Sequence, residues 1–210
     1  MNFQNREIDI LCVGETLIDF IGQQPGASLE NTLDFHRFLG GSPTNVAVNS
    51  SRLGLKTALI ATVGSDGFGK FIIKRLKEEG VETNYLKTQT NSRTSVIFVS
   101  RTEGTPEFVP FRAADFQIDE DQIHKQTLLN SKVFHTTCFA LSREPARTTI
   151  LKKAQEAFES GCQLSIDVNY ARKLWESREA AVEAIKSYCR FDPLVKISED
   201  DMNRLFERKV

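Results

Sequence analysis

The chain has 210 residues, 40% of them apolar, and 27 basic against 28 acidic side chains leave a net charge of −1. That suffices for one large core. The balanced charge provides neither the basic stripe of a nucleic-acid binder nor an acidic tail. No apolar run nears the ~18 residues of a membrane span, and the first ten residues have no signal-like stretch. Four scattered cysteines (Cys12, Cys138, Cys162, Cys189) and three isolated histidines (His36, His124, His135) offer no zinc spacing. A soluble cytoplasmic protein with buried free thiols, binding neither nucleic acid nor membrane, is expected.

In chain order, strands are predicted over Ile8–Val13, Thr57–Val63, Lys132–Thr136, Gln163–Asp167 and Leu194–Ser198. Helices are predicted over Thr44–Leu53, Phe68–Glu79, Asp119–Leu129, Glu144–Ser160, Arg178–Phe191 and Glu199–Glu207. The run TALIATV is apolar almost throughout, as in a strand covered on both faces. Such alternation predicts an α/β fold: an open, mostly parallel sheet with helices on both faces. Two regions break the rhythm, Leu17–Ile21 with Leu33–Leu39 and Ser95–Arg101 with Glu107–Arg112. They read as a small, mostly antiparallel sheet, with Thr102-Glu103-Gly104-Thr105 as a hairpin turn and Pro110 marking an edge. A small sheet beside an open α/β core predicts a lid over a ligand cleft.

The stretch GGSPTNVAVN, Gly40 to Asn49, has more glycine than a helix start needs. Ser42 and Pro43 alone would begin the helix. Two further glycines predict a sharp turn with a close approach, by a ligand or by another chain segment. A second glycine-rich stretch, Gly64-Ser65-Asp66-Gly67-Phe68-Gly69-Lys70-Phe71, matches seven positions of a phosphate loop. Its eighth position holds Phe71 where magnesium needs a hydroxyl, and Asp66 would repel phosphate. It reads as a tight strand-to-helix turn. No strand is followed by GxGxxG, which disfavours a dinucleotide-dependent oxidoreductase.

Six ordered motifs together resemble the ribokinase-like sugar kinases, the phosphofructokinase-B family. They are VGETLIDF (Val13–Phe20), GGSPTNVAVNSSRLG (Gly40–Gly54), the unit from Thr57 to Thr83, FVPFRAADF (Phe108–Phe116), LSREPARTTILKKAQEA (Leu141–Ala157) and SIDVNYARKLW (Ser165–Trp175). The last three are most similar to fructokinases. The resemblance implies a ribokinase-like fold and, in a complete enzyme, ATP- and Mg2+-dependent phosphorylation of a small sugar. Fructose leads, 2-keto-3-deoxygluconate follows, and a non-catalytic sugar-binding module is the alternative. The family's second signature, GAGD, with its catalytic aspartate and anion hole, does not occur in these 210 residues. The chain therefore reads as the N-terminal part of such a kinase, unable by itself to transfer phosphate, with lid strands near 17–39 and 95–112.

For the sugar site the resemblance implies Asp19, accepting from two adjacent hydroxyls, with Gly40 and Gly41 passing close and Asn45 offering a donor and an acceptor. Arg112 is expected to close over the sugar or its phosphate, against a plain surface pair with Asp115. Asn169 and Arg172 are expected to face sugar and phosphate, and Asp167 to hold the turn. Ser198 and Asp201 stand where the family often has N-x-x-E near metal-bound phosphates. Here they read first as a helix capping box. The small sheet is also the expected contact of a homodimer.

Overall fold

In the computed structural model, residues 5–103 and 106–207 are described. Six parallel strands form the main sheet: β1 (Ile8–Val13), β4 (Thr57–Gly64), β5 (Leu86–Gln89), β8 (Ser131–Thr137), β9 (Gln163–Asp167) and β10 (Leu194–Lys196), in the order β10-β9-β8-β1-β4-β5. Alternation along β1 and β4 divides the core. Leu11, Val13, Ala58 and Ile60 face α4 (Ala146–Glu159) and α5 (Arg178–Cys189). Cys12, Leu59, Ala61 and Val63 face α1 (Ser42–Arg52) and α2 (Gly67–Glu78). All eight residues of β4 are buried, as its unbroken apolar run requires. The expected α/β architecture is the one observed.

The small sheet joins β2 (Leu17–Gly22), β3 (Phe35–Gly40), β6 (Val96–Val99) and β7 (Phe108–Phe111) in the order β3-β2-β6-β7. Its two outer pairs are antiparallel, as expected, and the central pair, β2 with β6, runs parallel, so the sheet is mixed. The chain leaves β3, passes through α1, β4, α2 and β5 of the main layer, and returns to β6 in the same direction as β2. Pro110 lies on the edge strand, opposite Ile97. The expected turn at Thr102–Thr105 falls partly outside the described residues.

Three elements depart from expectation. The helix predicted over Asp119–Leu129 is a capped 3-10 turn, Glu120–Gln122, followed by the five-residue α3 (Lys125–Leu129). The Gln122 carboxamide folds back on the Asp119 amide and reaches Thr62 of β4, while Ile123 is buried. Tertiary anchoring overrides the helical period. β5 reads LKTQ and lacks an apolar pattern, being an edge strand. The main sheet's other edge strand, β10, stops at Lys196, two residues before Ser198, which caps α6 (Glu199–Phe206).

The rejected phosphate loop is explained by Asp66, the N-cap of α2. Its carboxylate accepts from the amides of Phe68, Gly69 and Thr94 and from the Thr94 hydroxyl. The helix terminus already holds an anion, its own. Among the described residues no helix is long and apolar enough to cross a membrane. Cys12, Cys138 and Cys162 are buried free thiols, and Cys189 is half-buried.

Candidate sugar-binding cleft

β1 leads to β4 on one side while β8 pairs on the other, so the strand order reverses at β1. Ligands of open α/β sheets bind outside the carboxyl ends of strands at such a reversal. Here the ends of β1, β8 and β9 meet the N-terminus of α1, and the small sheet stands over them. Between the layers lies a cleft of about 660 Å³, with Asp19, Ile97, Phe108, Phe139, Asn169 and Tyr170 in its lining.

Asp19 sits mid-strand in β2, half-buried and aligned between Phe38 of β3 and Ile97 of β6. Among the described residues no hydrogen bond or ion pair reaches its carboxylate, and burial pushes its pKa up to about 6. A half-desolvated carboxylate with no protein donor is suited to receive hydroxyls from a ligand.

The two glycines have separate steric reasons. A Cβ on Gly40 would fall on the Asp19 carboxylate. Gly41 has φ +103°, and a Cβ there would overlap the Glu15 carbonyl. Both close approaches are therefore to other parts of the chain, and together they bring the start of α1 against Asp19. Gly41→Ala should cost about 1–3 kcal/mol for the strained backbone alone, readable as a lower urea midpoint. An unchanged midpoint would show that the turn can relax.

The structure brings together only part of the expected set. Asn169, exposed and at φ +27°, lines the cleft with Asp19. Asn45 is exposed on α1, its amide bonded to the Gly41 carbonyl. Arg172 is exposed on the turn after β9 and lines a neighbouring hollow of about 370 Å³ with Arg178 and Arg204. Tyr170 and Arg204 line both spaces.

Arg112 does not line the Asp19 cleft; it lines a separate hollow with Arg37, Phe98 and Phe111. Its guanidinium is buried, paired with Asp115 (Nη2 to Oδ2 2.6 Å, Nε to Oδ2 2.8 Å), and donates to Ser142 Oγ. It lies 4.3 Å from the Phe139 ring centroid, behind the cleft wall. The pair is not a surface contact but a buried strut between the small sheet and the core.

Asp167 ties the end of β9 to α1 and β10: Ser42 Oγ donates to its Oδ2 and Lys196 pairs with Oδ1. Ser198 and Asp201 form the expected capping box, and Asp201 Oδ1 also accepts from the Tyr170 amide. Both Asp201 oxygens are thus engaged. Among the described residues no group of three or more His, Cys, Asp and Glu side chains could hold a metal ion. His36 and His124 are exposed. His135 is buried against Ser165, and burial pushes its pKa down to about 4.

Sequence reasoning overlooked Glu15 and Tyr170. A glutamate straight after an apolar strand and a glycine was a usable signal, because a buried carboxylate needs a purpose. Tyr170 gave none, since one aromatic beside an Asn reads equally as core.

The sequence profile of the pfkB family carbohydrate kinases matches residues 7–210. The chain is 33% identical over 204 residues to an ATP-dependent 6-phosphofructokinase of Thermoanaerobacterium thermosaccharolyticum, covering 97% of this chain and 63% of that protein. It is 36% identical over 199 residues to probable fructokinase-5 of Arabidopsis thaliana, covering 93% and 61%. The fructokinase structure of Halothermothrix orenii superposes with a TM-score of 0.87 at 37% identity, over 97% of this chain and 72% of that one. A Pyrococcus horikoshii sugar kinase in complex with ATP superposes at 0.88 and 30% identity, over 94% and 66%. The chain belongs to the pfkB family of carbohydrate kinases, and it spans a little over three-fifths of the length of these two curated relatives.

Proposed function

We propose that this chain supplies the sugar-binding part of an ATP-dependent sugar kinase with fructose as acceptor. The observation that supports it is Asp19, a half-buried carboxylate with no donor among the described residues, facing a cleft at the strand ends. Asp19 accepts from two neighbouring hydroxyls, and Asn169 donates and accepts beside it. The small sheet keeps water, a competing acceptor, away from the sugar. Arg172, for which no ion pair is found among the described residues, faces the phosphate side. Bound ATP supplies the phosphoryl group, and magnesium would screen its charge. Fructokinases among the relatives favour fructose, while the phosphofructokinase relative favours a phosphorylated acceptor as the second reading.

Calorimetry of the chain with D-fructose, D-fructose 6-phosphate and 2-keto-3-deoxygluconate tests this. Fructose should bind tightest. Preference for fructose 6-phosphate would move the reading to a phosphofructokinase, and no binding of any of the three would contradict it.

The second copy expected over the small sheet is also retained as a proposal, supported by Val109 and Phe111, both exposed on β7. Sedimentation of the wild type and of Phe111→Ser should show a dimer weakened by the change. A monomer at all concentrations would remove it.

A further inference from the structure

Glu15 follows β1 where β1, β8 and α1 meet, and it has no part in the sugar contacts proposed above. Its side chain is buried, only 2% of the residue being accessible. Ser42 N donates to Oε1 at 2.9 Å, and Thr137 Oγ1 donates to Oε2 at 2.9 Å. Its own carbonyl accepts from Thr44 Oγ1 at 3.1 Å and is the atom against which only a glycine fits at position 41. One residue thus holds the end of β8, the first turn of α1 and the glycine turn before it.

We propose that Glu15 is a positioning residue, clamping the Gly40–Gly41–Ser42 turn to the ends of β1 and β8 so that the backbone beside Asp19 keeps one geometry. The consequence for sugar affinity rests on the reading above. The clamp itself does not.

The donors define what each protonation state can do. Ser42 N–H can only donate, so Oε1 must stay an acceptor, and any proton resides on Oε2. Thr137 Oγ1 then turns from donor to acceptor while still accepting from Ala140 N. Protonation reverses one bond and keeps the other. Burial raises the carboxyl to about 7, against its hydrogen bonds and the attraction of Arg112 from the small sheet. The other groups near it are the Cys138 thiol, raised to about 12 by burial, and Asp167, whose charge faces Lys196. The first turn of α1 brings no acid. Because the folded pKa lies above the ordinary 4.5, the folded chain binds a proton that the unfolded chain has released. Stability therefore falls as pH rises between those two values.

The test follows the Ser42 amide by nitrogen-15 NMR across the neutral pH range. In the wild type its shift should titrate with a midpoint near 7. Glu15→Gln keeps an acceptor for Ser42 and should abolish that titration while leaving the fold and fructose affinity within about threefold. Glu15→Ala leaves the half-buried Ser42 amide and the buried Thr137 hydroxyl without their acceptor, so exchange at Ser42 should quicken and fructose affinity fall at least ~10-fold. An identical titration in Glu15→Gln, or unchanged Ser42 protection in Glu15→Ala, overturns the clamp. If Glu15→Ala does not fold, the glutamine variant decides alone. If the wild type binds no fructose, the sugar reading fails, and the Ser42 measurements still decide the clamp.

Discussion

Asp19→Ala is expected to weaken D-fructose binding by about 10- to 150-fold, the ~1.5–3 kcal/mol typical of hydrogen bonds to a charged group. Among the described residues the carboxylate has no partner to leave behind, so folding stability should hardly fall. Removing a half-desolvated charge should even raise stability slightly above pH 6. The same residue sets a pH dependence. With its pKa raised to about 6 by burial, Asp19 is ionised above that pH and protonated below it. Fructose affinity should thus weaken as pH falls through 6 in the wild type and stay flat there in Asp19→Ala. Calorimetry of both proteins at several pH values checks the magnitude and the slope together. Equal affinities would remove Asp19 from the site.

The second large effect is on stability. Asp115 has no side-chain exposure, and Arg112 has 3%. Asp115 Oδ1 accepts from Ser95 Oγ, and Ser95 Oγ in turn accepts from the amides of Ala113 and Asp115. Asp115→Ala leaves the Arg112 charge buried without its partner, which typically costs ~3–5 kcal/mol. For a chain of this size that is roughly 6–20 °C in Tm. Changing both residues at once, Arg112→Met with Asp115→Leu, should recover most of the loss, because the unpaired charge is gone. Urea unfolding of the single and double variants gives the comparison. A single variant within about 1 kcal/mol of wild type would mean that water reaches the pair.

Much of the fold was legible because its signals are local and repeated. TALIATV could only be a doubly covered strand, and Pro110 could only sit on an edge. The capping box at Ser198 and Asp201 was written in four consecutive residues. Long-range pairing was not legible. The β2–β6 parallel pair depends on where the chain returns after crossing the main sheet, which no window of sequence reports. The helix expected at Asp119–Leu129 failed for the same reason, since Gln122 is held by Thr62, sixty residues away. Asp19 and Asn169, both expected from the motifs that carry the resemblance, line one cleft. The burial of Arg112 against Asp115 was not legible, because an arginine near a lid strand looks the same whether its partner is exposed or buried. Glu15 escaped notice because its partners, Ser42 and Thr137, come from separate elements.

If the cleft between the small sheet and the strand ends is the sugar site, nitrogen-15 NMR mapping of D-fructose on this chain will find it. Amide shifts should concentrate at Asp19, Gly40, Gly41, Ile97 and Asn169 and saturate with one dissociation constant. The reverse face of the small sheet offers a hollow of about 730 Å³ with Arg37, Phe98 and Phe111 in its lining. Shifts gathered there, or none in the cleft at saturating sugar, would contradict the account.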